Sequence, residues 1–128
     1  MTKFAIGDVL FTATVAGSDR ARLAAFSRAT EDPNPIHVDE AFAKSCGFPT
    51  VVQQGPMTTA HFARLIEDRL GPDRLKVLDV TFTAPVFPGE ALIFTGVVAK
   101  IEGDVTLELK AAKADGAETA RGYAVVAA

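Results

Sequence analysis

The chain has 128 residues, 48% of them apolar and 23% charged, with a formal net charge of −3. That length suits one domain with a real core, here residues 1–128, and excludes two comfortable ones. No Lys/Arg cluster stands out, which argues against nucleic acid as a partner, because phosphate binding needs a basic stripe.

The opening stretch, Met1 to Asp8, has no apolar run long enough for a signal peptide. Residues 8–15, rich in Val, Phe and Thr, read as a strand. Ser18 is the predicted N-cap of a helix reaching Thr30, with Leu23, Phe26 and Ala29 facing inwards. A proline-rich loop follows from Asp32 to His37. A short helix then runs from Asp39, its predicted cap, to Gly47. Cys46, the only cysteine, is read as structural and excludes an intrachain disulfide. Residues 48–54 are irregular. Gly55-Pro56 opens a longer helix, about Pro56 to Leu70, that Gly71-Pro72 ends. Met57, Ala60, Phe62, Ala63, Leu65 and Ile66 make it apolar over much of its surface, so it is expected to be largely buried.

The second half is strand-like over 75–86, 90–101, 104–112 and 118–126, with turn signals at Pro88-Gly89, Gly103-Asp104 and Asp115-Gly116. One strand, then helices, then a four-stranded meander predicts an α+β domain with an antiparallel sheet of about five strands. A long apolar helix is buried in such a domain if the sheet curls around it. No segment approaches the roughly 20 apolar residues of a membrane span, and the single cysteine fits a reducing compartment. The expectation is a cytoplasmic protein.

Asp32-Pro33-Asn34-Pro35-Ile36-His37 carries the most chemistry. It sets a carboxylate and an imidazole five positions apart. Such a pair shares proton transfer near neutral pH. Each proline fixes its own φ and pushes Asp32 or Asn34 towards extended geometry, so the loop is ordered before a ligand arrives. The same residues are also ordinary turn-formers.

The run from Ala29 to Asp39, with Ala41-Phe42-Ala43, Gly55, and Phe82-Thr83-Ala84-Pro85-Val86-Phe87-Pro88-Gly89-Glu90, resembles the MaoC-like, or type 2, enoyl-CoA hydratases. The similarity covers nearly the whole chain in order. It implies a hot-dog fold, a homodimer or dimer of dimers with sheets joined edge to edge, and active sites near the interface. It implies (R)-specific hydration of trans-2-enoyl thioesters, carried on coenzyme A or a carrier protein, or the reverse dehydration. No metal or organic cofactor is implied, because the thioester itself activates C3.

On this resemblance Asp32 and His37 form the acid/base pair. Asn34 either orients a side chain or bonds the loop backbone. Gly55 either offers its N–H to the thioester oxygen or serves only the turn before Pro56. Gln54, Met57 and His61 are candidate pocket residues, with packing as the alternative for His61. Relatives commonly carry His where Gln54 stands, Met where Pro56 stands, and in some cases Ser at Ala63. Val51, Val52, Phe82 and Phe87 suit either core or acyl tunnel. Arg74, Lys76 and Lys100 suit either carrier phosphates or plain surface. A hot-dog thioesterase, and a subunit of a heteromeric dehydratase, are the competing readings.

Overall fold

The computed structural model describes residues 3–128. Met1 and Thr2, the start of the expected domain and of the N-terminal stretch, lie outside the described residues. In chain order the elements are β1 (Val9–Val15), α1 (Arg20–Thr30), a 3-10 turn (Pro35–His37), α2 (Glu40–Ser45), α3 (Gly55–Leu70), β2 (Leu75–Phe82), β3 (Leu92–Glu102), β4 (Asp104–Lys113) and β5 (Glu118–Val126). The five strands form one antiparallel sheet in the order β1-β3-β4-β5-β2.

The α+β expectation holds, but the meander does not run through all four later strands. Only β3, β4 and β5 follow one another across the sheet, while β2 pairs with β5. The predicted strand 75–86 stops at Phe82 because the chain then leaves the β2 line. Thr83 N–H donates to Thr119 C=O (2.8 Å), and Pro85 and Pro88 have no N–H to give a ladder. Glu90 belongs to a turn rather than to β3, since its carboxylate accepts the Phe87 N–H at 2.8 Å. The cap of α1 is Asp19, not Ser18. Asp19 Oδ1 accepts the Arg22 N–H at 2.8 Å, whereas Ser18 is buried and its hydroxyl donates to Met57 Sδ. Within α1, Leu23 and Ser27 are buried and Ala29 is exposed.

Helix α3 lies against the sheet with Phe62 and Ile66 fully buried. Burying two such side chains stabilises the fold by about 1.5–3 kcal/mol each. Phe62 meets Phe94 of β3 edge-on, centroids 4.8 Å apart. The burial is one-sided: Met57, Thr58, Phe62 and Ile66 face in, while Thr59, Ala60 and Ala63 line an open groove with Leu78 and Val80. A smaller core joins Leu23 of α1, Val51 and Met57, with Phe26 packed on it. That second core fixes where the 48–54 segment meets both helices.

His61, nearly two turns into α3, sets its ring edge-on to Phe94 at 5.6 Å. Burial, helped by the nearby Arg64 and Arg22 charges, lowers its pKa below the ordinary 6.5. The unfolded chain therefore takes up this proton first as pH falls, so the folded state loses stability below the ordinary value. His61→Phe should flatten that loss. Thermal melts at about pH 7.5 and about pH 5.5 check it, and equal pH dependence in variant and wild type would refute it.

Gly122 of β5 pairs with Val80 of β2. A Cβ there would stand 1.9 Å from Asp79 C=O, which is backbone and cannot swing aside. Gly122→Ala should therefore destabilise the fold by about 2 kcal/mol or more. A urea unfolding midpoint unchanged from wild type would contradict this.

Candidate active site

The site is built from the end of α1. Glu31, with φ 54, terminates the helix in a left-handed turn. The next N–H, that of Asp32, donates back to Ser27 C=O at 2.9 Å. Asp32 Oδ1 accepts the Asn34 N–H (3.0 Å), and Asn34 Oδ1 accepts the Ile36 N–H (3.2 Å). These two short rings, with Pro35 at the first position of the 3-10 turn, shape the loop. Asn34 thus serves the loop backbone, and its side chain caps the turn that carries His37.

His37 is 8% exposed. Its Nδ1 lies 2.7 Å from Val52 C=O, and Val52 N–H donates to Ile36 C=O at 3.0 Å. A carbonyl can only accept, so Nδ1 carries the proton and Nε2 is left facing the site. Nε2 stands 3.4 Å from Asp32 Oδ2. The two carboxylate oxygens have separate partners: Oδ1 holds the loop and Oδ2 faces the imidazole.

The structure does not place every candidate in one cavity. A cleft of about 420 Å³ is lined by His37, Val52, Gln54, Gly55, Phe82 and Val86 among others. Asp32 does not line this cleft and borders a separate open groove with Ser27, Arg28 and Val38. The larger open groove beside α3, about 610 Å³, shares Phe82 with the cleft but is lined by no histidine, whereas the cleft is lined by both His37 and Gly55, so the cleft is the better candidate. Gly55 heads α3, and the Phe82 ring packs on it so tightly that a Cβ would meet the ring at 2.6 Å. Among the described residues its N–H has no backbone acceptor, as expected at a helix start.

Met57 and His61 do not line the cleft. Met57 is fixed in the smaller core, and His61 is turned towards Phe94, beside a void of about 10 Å³ that it shares with Gln53 and Glu90. Gln54 borders the cleft, yet its side chain is fully buried and runs into α1, where Nε2 donates to Leu23 C=O (2.7 Å) and Ser27 Oγ (2.8 Å). Val52 and Phe82 are cleft residues, whereas Val51 belongs to the smaller core. Arg74 bonds Ala127 C=O and Lys76 pairs with Asp104, so both are engaged within the fold. Lys100 pairs with Glu102 on the surface.

Sequence reasoning did not identify Ser27, Thr119 or an external strap. In that strap, Arg20 donates to Glu40 (2.6 Å) and to Thr50 (2.9 Å), and Thr50 donates to Glu40 (3.0 Å). The hydrogen bonds from Arg20 and then Thr50 hold the Glu40 carboxyl below its usual range. The strap ties α1, α2 and the 48–54 segment around the pair. The one available signal was Ser27, a hydroxyl four residues after Leu23 on the buried face of α1.

The sequence and the fold have counterparts among known proteins. Residues 5–120 match the MaoC like domain. The chain is 30% identical over 112 residues to the (R)-specific enoyl-CoA hydratase of Aeromonas caviae, with 83% of each covered. It is 39% identical over 69 residues to the peroxisomal hydratase-dehydrogenase-epimerase of Saccharomyces cerevisiae, covering 54% of this chain and 7% of that one. It likewise spans 10% of a mouse peroxisomal multifunctional enzyme type 2 and 4% of a fungal fatty acid synthase beta subunit, so these relatives are far longer. The solved structure of the (R)-hydratase from A. caviae involved in PHA biosynthesis superposes with a TM-score of 0.85 at 26% identity, covering 99% of this chain and 98% of the other. The match over residues 5–120, and the two-way alignment with a hydratase of similar length, show that this chain belongs to the MaoC-like domain family and has its hot-dog fold.

Proposed function

We propose that the protein adds water to trans-2-enoyl thioesters, giving (R)-3-hydroxyacyl thioesters, or runs the reverse dehydration. The observation that carries this reading is His37 Nε2 facing Asp32 Oδ2 at 3.4 Å beside a cleft headed by Gly55. The named hydratase relative supports the reaction class and its stereochemistry. The acyl carrier is coenzyme A or a carrier protein, which present the same thioester.

One water donating to both Nε2 and Oδ2 would have its oxygen lone pair free for C3 of the substrate. As the C3–O bond forms, the water's O–H bond breaks and its proton passes to the Asp32–His37 pair. The C2=C3 electrons move onto the thioester, whose oxygen takes the negative charge. The Gly55 N–H, at the positive end of α3, stabilises that oxygen. A proton from the pair then closes C2–H, so one water is added and the pair returns to its starting state. The base and acid steps belong to the pair rather than to either residue alone.

The assembly we read is a homodimer, with edge strand β2 as the joining element. Its outer side pairs with no strand among the described residues, and Val77 and Phe82 stand exposed on it.

Purified protein should bleach the enoyl-thioester absorbance of crotonyl-CoA or a longer homologue and yield the (R)-3-hydroxy product. Asp32→Asn and His37→Ala should each lower turnover by about 10²–10⁴-fold. Full turnover in both variants would remove the assignment. Release of free thiol from saturated acyl-CoA, without hydration, would replace it with a thioesterase.

A further inference from the structure

We infer that Gln54 is a positioning residue, whose buried amide sets the Asp32 carboxylate in register with the Gly55 N–H. The inference rests on the hydratase reading above. Gln54 is the one polar residue among the largest fully buried side chains of the described chain. It stands at the cap position of α3 but makes no cap hydrogen bond. Instead both of its amide protons cross to α1, onto Leu23 C=O and Ser27 Oγ. Ser27 in turn holds the Asp32 N–H through its own carbonyl. One peptide unit and two hydrogen bonds therefore join the oxyanion donor to the backbone of the acid/base carboxylate. Two residues upstream, Val52 grips His37. Residues 52–55 thus anchor all three working groups from one strip of backbone.

The amide is not there for stability. Its Oε1 is buried and has no partner among the described residues. An orphaned buried acceptor is a net burden on folding. Turning the amide over would let Oε1 accept from the Ser27 hydroxyl but would set it against the Leu23 carbonyl, acceptor against acceptor. A methionine has nearly the same shape and carries no such burden. What methionine cannot do is hold α1 at hydrogen-bond distance. Gln54 is fully buried and does not titrate, so it acts through Asp32 rather than on the substrate.

Two substitutions separate positioning from packing. Gln54→Met removes both donated bonds and the orphaned oxygen together. Its melting temperature should equal or exceed that of wild type, while kcat on an enoyl-CoA falls by about 10–100-fold with KM within about twofold. Gln54→His restores a donor towards α1 and should recover most of kcat. Unchanged kcat in Gln54→Met would overturn the inference, as would a melting loss that accounts for all the lost activity. Wild-type turnover decides the hydratase reading separately. If wild type is silent on enoyl thioesters, the His37 imidazole signals in ¹⁵N NMR decide the positioning. A shift in Gln54→Met supports it, and superimposable spectra overturn it.

Discussion

The contact on which the site depends is the hydrogen bond between His37 Nδ1 and Val52 C=O. It joins a short helical turn to an irregular segment fifteen residues later, in a place where His37 is almost out of reach of solvent. A backbone carbonyl leaves the imidazole no choice of tautomer and no freedom to rotate. The Val52 N–H returns the grip through Ile36 C=O, so the two strips of backbone are locked in both directions. Everything else near the site orients something towards that ring. The Asx turn sets Asp32 against Nε2, the second core holds Val51 beside α1, and the Arg20–Glu40–Thr50 strap closes the outside.

The division of labour follows from chemistry more than from fold. Apolar packing of α3 on the sheet supplies stability, through Phe62, Ile66 and Phe94. Polar bonds in the 27–37 and 50–55 segments supply little net stability, since each replaces a bond to water. What they supply is direction. The exposed strap is screened by solvent and adds order more than energy, and the buried Gln54 amide even carries an unmet acceptor.

Much of this was legible in the sequence, for identifiable reasons. Asp32, Asn34 and His37 could be read because the prolines and the Asx chemistry act within six residues. The start of α3 could be read because Gly55-Pro56 is a local signal. The side of the sheet to which β2 belongs could not, because strand periodicity says which face is buried and nothing about the partner. The cap at Asp19 was missed because Ser18 is an equally good capping residue, and only the buried Met57 beside it decides where its hydroxyl goes. Met57 and His61 lie close to Gly55 in sequence. Helical rotation turns one into the smaller core and the other towards β3. The Gln54–Ser27 bond spans 27 residues, and no local pattern announces it.

Phe82 ends the edge strand, stands 49% exposed, and covers Gly55 with its ring. A surface that docks along β2 would lie beside that ring. Association and cleft shape then become one linked equilibrium, in which each stabilises the other by mass action.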